Sequence, residues 1–253
     1  MAQYDDLLDP AQFGEVHARH LLNRLGFGGS LKQIRGLQRI GPKRAVDLLL
    51  DEQGAQQDRA AFEIDPDILQ PVTREQRLML REARRNDDQE AIEAFRKMRG
   101  DRRRMDRKKF RALGRWWLKR MVTTNLPARE KLTLFWHGHF TTEYQVVRDT
   151  YLMYQQNQLM REHAWGSFAE LAGAMVRDPA MLRYLSNHVN RKKKPNENLA
   201  REMMELFTLG EGHYSEADIK NAARALTGYH IHDNDFKFNK GAHDNEPKTI
   251  LDQ

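Results

Sequence analysis

The chain has no cysteine among its 253 residues, which excludes disulfide staples, thiolate catalysis and every zinc or iron–sulfur site built on sulfur. No run approaches the roughly eighteen apolar residues a membrane-crossing helix requires, so no membrane span is expected. The opening MAQYDDLLDPAQF has neither a basic n-region nor an apolar h-region, and the chain as written shows no signal peptide. Internal repeats and low-complexity tracts are absent. Several ordered signatures are missing too: the P-loop, the G-x-S-x-G nucleophile elbow, the H-E-x-x-H zinc helix and the Glu-x-x-His pair of carboxylate di-iron bundles. Gly26-Phe27-Gly28-Gly29 follows a helical pattern, not a strand, and lacks the P-loop lysine, so it reads as a C-cap and turn.

What is present is charge, unevenly spread. The net charge is +6. The segment Val72–Met121 alone carries +10, with 18 Lys and Arg against 8 Asp and Glu, and leaves the remainder at −4. Its apolar face is thin (Leu78, Met79, Ile92, Phe95, Met98), so Arg102-Arg103-Arg104 and Arg107-Lys108-Lys109 are expected on a solvated helical excursion over about 73–124, broken near Gly100 and Gly114.

Helical signals dominate elsewhere. Pro10–Leu25 offers Phe13, Val16, His17, Leu21 and Leu25 on one side. Ser30 caps a short helix ending near Gly41, and Pro42 opens the next at an N1 position. Gln53–Val72, with two prolines and weak periodicity, reads as a loop. Pro127 begins a helix closing on Leu134–Phe140, and Thr142 with Gln145 predicts a capped helix running to about His163. Ser167 with Glu170, and Asp178-Pro179, mark two further starts. After Tyr229 the alternation His230-Ile231-His232 and Phe236-Lys237-Phe238 fits one small β element.

The stretch Pro195–Tyr229, PNENLAREMMELFTLGEGHYSEADIKNAARALTGY, predicts a pair of helices, the first ending at Gly210 and the second opened by a Ser215–Asp218 capping box. Helical spacing places Glu202 in a stripe with Leu199, Leu206 and Leu209, where a carboxylate must be paired or protonated. It is either structural or a site residue. Glu197, Arg201 and Glu205 step by four as an ion ladder.

His137 and His139 flank Gly138 and can converge on one ion if the helix ends there. His230, His232 and Asp233 form a second histidine group, and His243-Asp244 a third. With Glu202 and Glu205 these are candidate ligands for a divalent metal such as zinc, manganese or iron. Without metal, Glu202 or Glu205 with His137 makes an acid–base pair of the kind that hydrolyses a glycan or ester. The Pro195–Tyr229 pair also resembles a DNA-reading helix-turn-helix. Its second helix balances Lys220 and Arg224 with Glu216 and Asp218, so no specific nucleic acid is expected.

Four stretches, HARHLLNRLGFGGS at 17–30, LTLFWHGHFTT at 132–142, the 195–229 stretch above and HDNEPKTIL at 243–251, resemble the bacterial family catalogued as domain of unknown function 1800. The resemblance implies a mainly helical protein and no assigned reaction. It also implies members that commonly look exported and continue past the HD…PKT stretch, so a missing C-terminal portion is expected, with self-association or pairing through the C-terminal segment. The sequence thus predicts an all-α, single-domain protein with a small β element near its C-terminus. Two functions follow: a hydrolase-like enzyme with a His/Glu site acting on an envelope polymer or glycan, or a non-enzymatic helical binding or assembly module whose buried polar residues are structural.

Overall fold

The computed structural model describes residues 10–50, 61–69 and 73–252; most of the loop expected over Gln53–Val72 lies outside them. The fold is mainly helical. A 3-10 turn at Pro10–Gln12 leads to α1 (Glu15–Arg24), α2 (Leu31–Ile40), α3 (Pro42–Leu49), α4 (Arg74–Arg85), α5 (Gln89–Thr123) and α6 (Pro127–His139). There follow α7 (Tyr144–Val147), α8 (Thr150–Glu162), α9 (Phe168–Met175), α10 (Pro179–Tyr184), a 3-10 turn at Asn187–Val189, α11 (Asn198–Glu202), a π-turn (Met203–Thr208) and α12 (Glu216–Ala225). The chain closes with β1 (Tyr229–His232) and β2 (Asp235–Phe238), an antiparallel hairpin pairing Tyr229 with Phe238. Its two-residue loop, Asp233-Asn234, has φ of 49° and 65°, the type I′ geometry that matches strand twist.

Two compact units emerge. One comprises Met1–Ala61, Arg115–His139 and Met160–Gly166, the other Phe62–Gly114, Phe140–Leu159 and Ser167–Gln253.

 In the first, Phe13, Ala18 and Leu22 pack with Ile34, Leu37, Ala45 and Leu49 into one buried cluster of the first three helices. Ser30 and Gln33 close a reciprocal capping box on α2, and Pro42 stands at the start of α3, as their spacing predicts. In the second unit, Ala200 and Met204 pack on Ile219 and Ala223, so the paired helices of the 195–229 stretch share a core of their own.

The structure moves several helix breaks. The charged excursion divides at Asn86–Asp88, and α5 then runs unbroken through Gly100 and Gly114 for 35 residues. A helical glycine costs only about 1 kcal/mol, too little to end a helix whose neighbours all favour it. The helix expected from Thr142 to His163 is instead cut at Arg148-Asp149, where Arg148 adopts the left-handed conformation (φ 52°, ψ 42°). Thr142 does not cap α7, because its hydroxyl is turned to Gln156.

Gly228 meets a requirement no other residue fulfils. Its φ is +81°, and a Cβ there would stand 2.5 Å from the Asn239 carbonyl oxygen and 3.2 Å from the His243 Cβ.

The second unit also buries a chain of polar side chains. The Thr142 hydroxyl donates to Gln156, whose Nε2 donates to Asp178 at 2.7 Å; the same carboxylate accepts the Met181 N–H at 2.7 Å as N-cap of α10. Burial dominates these bonds and pushes the Asp178 carboxyl from its ordinary 3.8 up to about 7. Between those values the folded chain keeps a proton that the unfolded chain releases, so this group makes stability fall as pH rises through the window. Asp178→Asn preserves an oxygen acceptor for the cap without the ionisation. Thermal melts across that window should show the wild type losing stability relative to Asp178→Asn as pH rises, with the difference levelling off above about pH 7.

Candidate functional site

His137 and His139 both lie in the first unit, within α6. Because the helix continues through His139, the two rings project roughly 160° apart and do not converge as a helix end would allow. The His137 ring lies 5.2 Å from that of Trp117, and burial lowers its pKa. The His139 ring is parallel to Phe135 and edge-on to Trp136.

The buried carboxylate of this unit is Glu130, which periodicity did not single out. It is fully enclosed and accepts from Arg161 Nε at 2.8 Å and Nη2 at 3.0 Å, from Arg120 Nε at 2.6 Å and from Trp117 Nε1 at 2.9 Å. Burial would raise its pKa, but the two guanidiniums, Arg161 foremost, outweigh it and hold the carboxyl below the usual range. Arg161 is itself capped by the Trp116 ring at 5.4 Å.

Glu202, Glu205, His243 and Asp244 lie in the second unit. The buried face of the 198–208 helix is Leu199, Ala200, Met204 and Phe207. Leu199 is buried, but Leu206 is 61% and Leu209 39% exposed, so the stripe expected to bury Glu202 turns outward beyond Leu199, and Glu202 is half-buried. The π-turn adds to the shift: the N–H groups of Leu209 and Gly210 both reach the Met204 carbonyl, past the α-helical partner. Burial first, and then the neighbouring Glu205, raises the pKa of the Tyr214 hydroxyl.

Asp244 accepts from Arg224 Nε at 2.7 Å and from the Glu246 N–H at 2.9 Å, which brings its pKa down to about 2. His243 Nδ1 stands 2.7 Å from the Thr227 carbonyl. The 243–251 segment is tied further to α12, since Asn221 Nδ2 donates to the Thr249 carbonyl and the Leu251 N–H to Asp218, each at 2.7 Å. Among the described residues, no group of three or more His, Asp or Glu side chains is placed to hold a metal ion.

Among the described residues, unengaged charge gathers in a cleft elsewhere in the second unit. A cleft of about 640 Å³ is lined by Arg99, Arg103 and Arg107 of α5, by Tyr144–Asp149, and by Arg183 and Leu69. The three α5 arginines step by four and therefore occupy one face. Arg183 pairs with Asp149 at 3.0 Å, and burial, partly opposed by Arg183, raises the Asp149 carboxyl. Among the described residues, no ion pair engages Arg99, Arg103, Arg107 or Arg148.

The wall facing α5 is fixed by one acid within the basic run. Asp106 is buried; its carboxylate accepts the Thr150 N–H at 2.9 Å and the Tyr144 hydroxyl, and its carbonyl accepts the Thr150 hydroxyl at 2.9 Å. The Tyr144 ring lies flat on Phe110, with centroids 3.9 Å apart. These bonds cap α8 and hold the turn that carries Arg148, whose N–H bonds to the Tyr144 carbonyl at 2.7 Å and whose Nε bonds to that of Gln145 at 2.8 Å. A lone acid in RRRMDRKKF was the available signal; reading the run as a solvated face passed over it.

Motifs and architecture together define a mainly helical chain with four diagnostic stretches folded into its cores and ties. The chain belongs to the family described as protein of unknown function (DUF1800), whose profile matches residues 20–253. No curated protein and no solved structure matches it.

The two carboxylates Glu130 and Glu202 provide a direct contrast. Glu130→Gln leaves two buried guanidiniums without their counter-charge and should cost about 3–5 kcal/mol. Glu202→Gln, on a half-exposed face, should stay within about 0.5 kcal/mol of wild type. Urea unfolding of the two variants checks the ordering; equal losses would contradict this placement of the structural charge.

Proposed function

We propose that this chain is a non-enzymatic helical binding module whose ligand is an anion held in the arginine-lined cleft. One observation carries the reading: four guanidiniums, Arg99, Arg103, Arg107 and Arg148, line one cleft with no ion pair among the described residues. Guanidinium is planar, remains charged at any physiological pH and presents paired donors that match the oxygens of phosphate or carboxylate. Clustered positive charge inside a cleft also focuses the field and draws anions inward. The acids on the same wall offset it only in part: Asp149 is paired with Arg183, and the single charge of Asp106 stands against four guanidiniums.

The hydrolytic reading depended on His137 acting with Glu202 or Glu205. Support for the binding reading comes from how the buried and half-buried acids are used: Glu130, Asp106, Asp149, Asp178 and Asp244 each serve a cap, a turn or an arginine. A protein built this way uses its buried carboxylates for shape and leaves the cleft arginines Arg99, Arg103, Arg107 and Arg148 for the ligand.

Inorganic pyrophosphate is a suitable probe in isothermal titration at low salt. Wild type should bind it, more weakly as ionic strength rises. Arg103→Gln with Arg107→Gln should weaken binding by about tenfold or more, as expected on losing two charged donors. Lys220→Gln, exposed on α12 and outside the cleft, should leave it unchanged. Absence of binding, or equal loss in all variants, overturns the assignment.

A further inference from the structure

The arginine cleft has a neighbour of opposite character. A smaller slot of about 250 Å³ is lined by Leu80 and Arg84 of α4 and by Ile92, Phe95, Arg96, Arg99, Gly100 and Arg103 of α5. Arg99 and Arg103 line both spaces, so one pair of guanidiniums forms the shared wall between a polar compartment and an apolar one. Ile92 is buried and Leu80 and Phe95 are half-buried, which leaves apolar surface facing the slot beside a concentration of positive charge.

Gly100 is the smallest residue of the slot's lining. It lies inside an unbroken helix, where alanine would be favoured by about 1 kcal/mol, and a Cβ built on it meets no atom within 4 Å. Helical spacing puts it on the face of Ile92, Arg96 and Arg103, so a long side chain there would stand over the slot.

The geometry points to a phosphate monoester with an apolar chain as the ligand: its phosphate is held by Arg103, Arg107 and Arg148 in the large cleft, and its chain lies past Arg99 and Arg103 against Leu80, Ile92 and Phe95. This inference rests on the anion-site reading and specifies the ligand of that site. Phosphate supplies the oxygens that guanidinium forks bind in pairs. The chain replaces water over apolar side chains that charged neighbours alone cannot cover. A free soluble ester and a lipid headgroup share this chemistry.

The test measures affinity for inorganic phosphate and for ethyl, butyl and hexyl phosphate at monomeric concentrations, with 1-hexanol as the chain alone. Affinity should stay near that of inorganic phosphate for the ethyl ester, too short to span the roughly 12 Å of helix between Arg103 and Phe95, and rise roughly two- to fourfold per methylene once the chain reaches the slot, the range expected for partial to full burial of a CH₂. Hexanol alone should bind far more weakly than hexyl phosphate. Gly100→Leu fills the slot with a strong helix former, so it should fold at least as stably as wild type, retain phosphate affinity and lose the chain-length gain. Phe95→Ala should reduce the gain without abolishing phosphate binding.

Vesicles of phosphatidylcholine, with and without phosphatidic acid, distinguish the two sources. Binding to acidic vesicles that Gly100→Leu abolishes assigns a lipid headgroup, and a chain-length gain confined to monomeric esters assigns a soluble one. Phosphate binding that ignores chain length overturns this inference and leaves the anion site standing, whereas no binding of any phosphate removes both. Single-stranded DNA bound more tightly than hexyl phosphate and unaffected by Gly100→Leu also overturns it, in favour of a polyanion.

Discussion

The bonds of Asp106 set the form of the arginine-lined cleft in the second unit. A single carboxylate, enclosed within the most basic stretch of the chain, takes the first free N–H of α8 and the phenol of Tyr144. Without it, the first N–H of α8 would lack its partner and only the Tyr144–Phe110 stack and the Thr150 hydroxyl would tie this turn to α5, and burying such groups unpaired is costly. With it, the turn is fixed, Arg148 is held in a left-handed conformation that long side chains seldom adopt, and the arginines of α5 face a defined wall. Position 106 also lies one turn from Arg103 and next to Arg107, so the acid that builds the wall lowers the self-repulsion of the residues lining it.

The first unit solves a related problem with the signs reversed. Glu130 is an acid held by two arginines and an indole N–H, a group that leaves a net positive charge in a nearly dry interior. Such an arrangement survives only when every lone pair is occupied, and the Trp116 face over Arg161 adds a further attraction for the excess charge. In both units the polar interior fixes geometry where apolar packing alone would permit several. The 243–251 stretch does the same at the surface: Asp244, Asn221 and Asp218 tie an irregular segment to α12 through side chains and backbone groups in equal measure.

Much of this architecture was legible in local chemistry. Ser30 with Gln33, Pro42, Asp178-Pro179 and Ser215 with Asp218 all start helices where their spacing places them, because a cap is decided by residues three apart. Long-range choices were not legible. Thr142 has the spacing of a cap, yet its hydroxyl is taken by Gln156, fourteen residues on. Gly100 looks like a stop and is not one. Glu202 shows the limit most plainly: three leucines at helical intervals marked its face as the buried one, but Leu206 and Leu209 are solvent-facing, and the core is made by Leu199, Ala200, Met204 and Phe207. In a helix this rich in apolar residues, periodicity offers two faces and only the partner, here Ile219 and Ala223 of α12, selects one. The candidate site was legible only as a basic segment. That its arginines line a cleft depends on Asp106 reaching Tyr144 and Thr150, some forty positions away in sequence.

The π-turn at Met203–Thr208 has a consequence for how this stretch can change length. A π-turn holds one residue more than an α-turn, so the helix carries one extra residue here without breaking. Removing one residue there restores ordinary pitch, but it swings everything beyond by about 100° relative to what precedes it. Phe207, which meets the rings of Phe140 at 5.2 Å, would lose its place, and the left-handed exit at Gly210 would point the chain away from Ser215. The spacing between the NEN and GEG elements of this stretch is therefore held to the residue by the register of two aromatic rings, a constraint on insertions and deletions that composition alone does not reveal.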